Sequence, residues 1–156
     1  MNIDDLRSLM DSFDPASLLP DLNALTVDLA SVARFAVMVG PVVMLVLGLM
    51  YLFAAPKEAN YHFGYRCYFG MGSVEAWRYT QRMAGLIFSA LGLVLTVVMF
   101  FVSGDFGAQA PFDAMTSALT AVLWEAGLIL AACLGINFLA MMNFTSDGDI
   151  RPRRTK

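Results

Sequence analysis

The chain has 156 residues, room for one domain, of which 58% are hydrophobic and only 15% are charged. Together with a mean hydropathy of +0.64, this excludes an ordinary water-soluble domain, in which about half of the residues are apolar and about a quarter are charged. The formal net charge of −3 says less than its distribution, because the acidic residues mostly precede the first apolar run and the basic residues follow it.

Residues 1–33 form a polar, acidic segment with six aspartates. Leucine, methionine and phenylalanine recur in it at helical spacing, first around Met10 and then around Leu22. We predict short amphipathic helices, interrupted near Pro15 and Pro20, that lie on the outer surface of the bilayer. A loosely ordered acidic tail is the alternative, since few cationic residues are present to attract anionic lipid.

The first predicted transmembrane span covers residues 35–55 and contains no charge. Pro56 ends it, because proline lacks a backbone donor and restricts the residue before it. Gly40 and Pro41 are expected to kink its outer half. A signal peptide is a poorer interpretation, since an acidic segment of more than 30 residues precedes the run where a short basic region would be expected.

A polar loop over about residues 56–72 precedes the next helix. Ser73 is expected to cap that helix, and Glu75 places a favourable negative charge in its first turn. The helix continues into a second span at 84–102, and a glycine-containing linker leads to a third span at about 120–142. The sequence thus predicts an all-α integral membrane protein with three transmembrane helices over residues 34–156, preceded by the amphipathic segment 1–33.

Lysine and arginine cluster on one side of the predicted spans. The first loop with the following helix start, and the C-terminal tail, hold Lys57, Arg66, Arg78, Arg82, Arg151, Arg153, Arg154 and Lys156. The linker between the second and third spans holds none. Because basic residues favour the cytoplasmic side, we expect a multi-pass plasma-membrane protein with its N-terminus outside and its C-terminus in the cytoplasm.

The loop and the start of the second helix carry a spaced set of polar and small residues. These are Asn60, Gly64, Arg66, Ser73, Trp77 and Arg82, followed by Ala84 and Gly85. On physical grounds alone they suit a tight turn at the membrane surface, with the tryptophan and the arginines as lipid anchors.

The same residues resemble the signature of the bacterial SdpI family of immunity proteins, over about 26 contiguous residues. The sequence departs from that signature at Cys67 and Tyr68, where the family usually has Thr-Pro, and at Val74, where an acidic residue is common. The resemblance implies a polytopic membrane protein that protects its own cell from a secreted toxin peptide. It also implies that a small regulator is held at the cytoplasmic face.

Glu125 is the only acidic or basic residue inside the predicted spans. With the third helix centred near Leu130, it would lie on the order of 7 Å from the midplane. We expect Arg34 to be its partner. Its function is either to form a toxin-facing or ion-facing polar site or to set the depth of the helix by snorkelling. Asn137, on the same helix, is expected to form hydrogen bonds between helices.

Small residues form two stripes that allow close approach of helices. Gly127, Ala131 and Gly135 repeat at every fourth position of the third span, and Gly85 with Ser89 forms a shorter stripe on the second. These stripes serve packing within the three-helix unit or, alternatively, a homo-oligomer interface.

The sequence lacks the residue combinations that metal sites, disulfides and catalytic sites need. His62 and Cys67 are too few ligands for a metal, and Cys67 and Cys133 should lie at different depths, so a disulfide is not expected. The sequence has no phosphate-binding glycine loop, no paired carboxylates and no nucleophile with an evident base. We therefore expect no enzyme, no cofactor and no nucleic-acid partner.

Three hypotheses follow. The leading one is a non-catalytic immunity or sensor protein that binds a toxin peptide through Glu125 and the acidic N-terminal segment, and a cytoplasmic regulator through its basic loop. The second is a small accessory subunit that packs against a larger membrane complex through its glycine stripe. The third and weakest is a transporter or channel that oligomerises around Glu125.

Overall fold

The computed structural model describes residues 22–59 and 62–152, with side chains from residue 29 onward. Three long helices make up most of this part of the chain: α1 over Leu22–Phe53, α2 over Val74–Gly104 and α3 over Pro111–Asn143. Each contains a window long and apolar enough to cross a membrane, with mean hydropathies of 2.4, 2.6 and 2.0. The predicted all-α, three-span, multi-pass fold is confirmed.

The helix of the first span is longer than the apolar run. α1 begins at Leu22 and so includes the end of the acidic segment, well before the predicted start at residue 35. Residues 1–21, where the other predicted amphipathic turns fall, lie outside the described residues. The helical spacing around Leu22 therefore belongs to the first turns of α1.

Glycines bring α1 and α2 into contact at backbone distance. A β-carbon on Gly92 would lie 2.5 Å from the backbone nitrogen of Leu45, and one on Gly85 would lie 2.7 Å from Cγ of Leu52. Gly48 of α1 faces the backbone of Ser89 in the same way. The short stripe of Gly85 and Ser89 thus serves packing between α1 and α2, the closest approach that small residues allow in lipid.

Helix α3 packs through alanines and leaves its glycine stripe uncovered. Its buried residues include Ala114, Ala118, Ala121, Ile136 and Ala140. By contrast, Gly127 and Ala131 are exposed, and a β-carbon on Gly127 or Gly135 would have no neighbour within 4 Å. This stripe is therefore not used for packing within the three-helix unit, and its role between chains stays a prediction.

An arginine closes the end of the bundle that holds the α2–α3 linker. Arg34 of α1 donates from Nε to the carbonyl of Ser103 at 2.8 Å and from Nη2 to that of Gly104 at 2.6 Å. The last carbonyls of a helix lack intrahelical donors and carry the negative end of its dipole, so a guanidinium is a favourable partner. The expected pairing of Arg34 with Glu125 is therefore wrong.

Candidate functional site

The loop between α1 and α2 folds over a buried tryptophan. Trp77 has no exposed surface, and its Nε1 donates to the carbonyl of Pro56 at 2.9 Å. Gly64 lies against the ring with φ at 125°, a left-handed conformation that favours glycine. Trp77 is thus the support on which the loop is built, and the interpretation of this residue as a lipid anchor is corrected.

A glutamine side chain holds the loop by bonding both backbone groups of one loop residue. Gln81 lies one turn after Trp77 and is only 2% exposed. Its Oε1 accepts the backbone N–H of Tyr65 at 2.9 Å, and its Nε2 donates to the carbonyl of the same residue at 2.7 Å. Sequence reasoning missed Gln81. The available signal was an uncharged amide one turn after Trp77, on the same face of the helix.

Tyr65 attaches the loop to α3. Its hydroxyl donates to the carbonyl of Cys133 at 3.1 Å and accepts from Nδ2 of Asn137 at 3.0 Å. Its ring packs edge-on against Phe88 of α2, with centroids 5.8 Å apart. Burial raises the pKa of the Tyr65 phenol, with a further contribution from Cys133. Asn137 therefore joins a helix to a loop, where a bond between two helices had been expected.

Ser73 joins three segments at the start of α2. As predicted, its Oγ caps the helix by accepting from the backbone N–H of Ala76 at 3.1 Å, and Glu75 lies in the first turn. The same hydroxyl donates to the carbonyl of Gly148 at 2.8 Å. A β-carbon on Gly72 would lie 2.6 Å from the nitrogen of Gly148, so the two backbones touch. The loop and the C-terminal segment thus lie together at one end of the bundle.

Basic residues, two of them from the signature, surround this structural frame. Lys57, Arg78 and Arg82 are exposed and line one cleft between the end of α1 and the start of α2. Arg66 is exposed on the loop itself. Asn60, also part of the signature, lies outside the described residues. The structure therefore brings Gly64, Ser73 and Trp77 into one packed unit, while the cations lie on its surface. We call the end of the bundle formed by residues 54–59, 62–82 and 144–152 the basic face.

Glu125 lies inside the bundle, on the face of α3 that packs against α1. It is 3% exposed, and a β-carbon on Gly40 would lie 2.7 Å from its Oε2. Its Oε1 is the one buried side-chain oxygen or nitrogen without a hydrogen-bond partner among the described residues. Pro41, the next residue of α1, supplies no N–H to its own helix, so α1 also has a backbone carbonyl without its usual donor near this carboxyl. The site is polar but closed.

The fold and the site define the class: a small multi-pass helical membrane protein. Its hydrogen-bonded loop, built on Gly64, Ser73 and Trp77, lies at one end of the helix bundle. A family model for the SdpI/YfhL protein family matches residues 57–142. This range holds the loop, α2 and nearly all of α3, more than half of the chain. The chain belongs to the SdpI/YfhL protein family, which is a non-enzymatic membrane family. No curated protein and no solved structure matches it.

Proposed function

We propose that this protein is an immunity and signalling protein of the SdpI type, which protects its cell from a secreted toxin peptide without catalysis. Membership of the family supports the proposal. The observation that carries it is the basic face, where the signature residues Gly64, Ser73 and Trp77 form a fixed frame and Arg66 lies exposed upon it. A frame of this kind presents a constant surface to a second protein.

In this proposal the basic face is cytoplasmic and binds an acidic surface of a regulator. The excess of lysine and arginine at this end favours that orientation, and the N-terminus is then outside. Arg66 supplies charge that speeds association with an acidic partner. The toxin peptide is met on the other side by the acidic N-terminal segment. Glu125, which is buried against α1, acts on that side indirectly, by holding the helix that carries the segment.

The proposal is tested by the survival of a sensitive host that expresses the protein and is challenged with secreted toxin peptides. Arg66→Ala and Glu125→Gln are compared with the wild type at equal amounts of membrane-inserted protein. We expect the wild type to protect the host and Glu125→Gln to protect it less. We expect Arg66→Ala to abolish recruitment of the regulator while protection persists. Absence of protection against every peptide, with the wild type in the membrane, would contradict the proposal.

The second candidate is an accessory subunit of a larger membrane complex. The observation that favours it is the uncovered small-residue surface of α3, where Gly127 and Ala131 are exposed and a neighbouring helix can approach closely. Co-purification of a large membrane partner in constant ratio, lost in Gly127→Leu, would support this candidate. A second copy of the chain on the same surface would appear as a dimer of the purified protein.

A further inference from the structure

Three cations line a cleft between the end of α1 and the first turns of α2: Lys57, Arg78 and Arg82. The cleft has a volume of about 130 Å³, and Tyr51 and Leu52 of α1 also line it. Its lining therefore combines positive charge with apolar surface. We propose that this cleft binds the phosphate of an anionic phospholipid in the adjacent leaflet.

Within the part of the chain that the structure describes, the three cations of the cleft have no acidic partner. Nε of Arg78 donates to the carbonyl of Lys57 at 3.3 Å, which holds the guanidinium beside the end of α1. Across the described ranges 22–59 and 62–152, no carboxylate forms an ion pair with Lys57, Arg78 or Arg82. Arginine has five N–H donors in a planar fork that suits phosphate oxygens. The terminal donors of Arg78 and those of Arg82 are available for such a ligand.

The apolar part of the lining selects a lipid over a phosphate free in solution. Tyr51 and Leu52 of α1 line the cleft together with the cations. The next residue, Phe53, ends α1 and is 84% exposed, so apolar surface continues along the helix beside the cleft. A phospholipid places its phosphate against the cations and its chains along α1, whereas an inorganic phosphate would gain only the first contact. Basic pockets between helices at a membrane surface are typical lipid head-group sites.

This site differs from the surface assigned to the regulator. The cleft lies between the end of α1 and the start of α2, and neither Arg66 nor the C-terminal segment belongs to its lining. The site also uses Arg82, which the structural frame of Gly64, Ser73 and Trp77 leaves without a hydrogen bond among the described residues. An anionic lipid bound here neutralises part of the basic face and fixes the depth of the α1–α2 pair.

The experiment measures the lipid retained by the full-length protein when it is extracted from bilayers of phosphatidylcholine and phosphatidylglycerol in equal amounts. We compare the wild type with Arg78→Gln/Arg82→Gln and with the matched control Arg151→Gln, which removes one charge from the same end but outside the cleft. We expect the wild type and the control to retain phosphatidylglycerol preferentially. In the double variant, the ratio of retained phosphatidylglycerol to phosphatidylcholine should fall about fivefold for each arginine removed.

A second arm adds inorganic phosphate in excess, which should leave the retained lipid unchanged. Helical content by circular dichroism shows whether the double variant remains folded, and Arg78→Lys/Arg82→Lys should restore most of the preference. Equal retention of both lipids by the wild type would overturn the proposal, and would point to an acidic peptide as the occupant. Displacement of the lipid by inorganic phosphate would overturn the choice of a lipid over a free anion.

Discussion

The ring of Trp77 occupies the space that a side chain on Gly64 would need. A β-carbon there would lie 2.6 Å from both Cη2 and Cζ2 of the indole, and the backbone at Gly64 is left-handed. The tryptophan cannot move away easily, because it is fully buried and its Nε1 is bonded to Pro56. The glycine and the tryptophan of the signature are therefore one structural unit.

Gly64→Ala should destabilise the protein through both effects. The left-handed conformation costs about 1–2 kcal/mol for an L-residue, and the overlap with the indole costs about 1–3 kcal/mol more. The free energy of unfolding in detergent micelles, measured by denaturant titration, checks this expectation. Gly104→Ala is the matched control, because a β-carbon there meets nothing within 4 Å. Equal stability of the two variants would contradict the assignment.

Gly40 and Glu125 should be energetically coupled. Gly40→Ala places a methyl group against Oε2 of Glu125, the far end of a side chain that can shift, so it should cost about 1 kcal/mol in the wild type. In a Glu125→Ala background the same change should be neutral or stabilising, since alanine is the better helix former. A double-mutant cycle on unfolding free energies measures the coupling. Gly127→Ala, which faces open space, should show none, and a coupling below about 0.5 kcal/mol at Gly40 would refute the contact.

The hydrogen bonds of Tyr65 should make stability depend on alkaline pH. Its folded-state pKa lies above the ordinary value of 10.0, mainly because of burial. The unfolded chain therefore releases this proton first, so the contribution is complete below pH 10.0 and is lost as the pH rises through the folded-state pKa. Tyr65→Phe should lower the unfolding free energy by about 1 kcal/mol at neutral pH, and the difference from the wild type should shrink above pH 10.0.

The matched control for this pH experiment is Tyr68→Phe. Tyr68 is three residues along the same loop and is 74% exposed, so its loss should change neither the stability nor its pH dependence. A constant difference between Tyr65→Phe and the wild type across the alkaline range would show that the phenol proton is not held by the fold.

Arg34 should stabilise the opposite end of the bundle. Arg34→Gln removes a charged donor from two carbonyls at the end of α2, which should cost about 1–3 kcal/mol. Arg34→Lys keeps the positive charge but not the planar guanidinium that bonds both carbonyls, so it should recover part of the lost unfolding free energy. Hydrogen exchange at residues 103–108, together with the unfolding free energy, is the measurement. Arg82→Gln, at the other end of the bundle, is the control. If Arg34→Gln leaves the hydrogen-exchange protection of residues 103–108 unchanged, Arg34 does not stabilise the end of α2.

Much of the fold could be predicted from the sequence because lipid imposes a simple rule on it. Each long apolar run had to be a helix, and the cap at Ser73 followed from a serine directly before an apolar helix with an acidic first turn. The signature also identified Gly64, Ser73 and Trp77 as a group. Their contacts required the fold, since Trp77 suits a membrane surface and a buried core equally well.

The errors concern the choice between partners that lie far apart in the chain. Arg34 was paired with Glu125 on charge alone, yet it binds carbonyls 69 and 70 residues away, and every helix end offers such acceptors. The stripe on α3 was open to two interpretations because that helix is apolar on all sides, so the pattern does not reveal which face is covered. Gln81 was missed because its position on the helix shows only that it shares a face with Trp77, and its partner, the backbone of Tyr65, cannot be identified from residue types.

The hydroxyl of Ser73 links the start of α2 to the segment that follows α3, at one end of the bundle. Because it bonds both to the start of α2 and to Gly148, whichever side of the membrane receives the C-terminal segment must also receive the loop. Topology mapping of this protein thus reduces to one measurement: a reporter placed after residue 152 assigns the loop, the basic cleft and the signature residues at once.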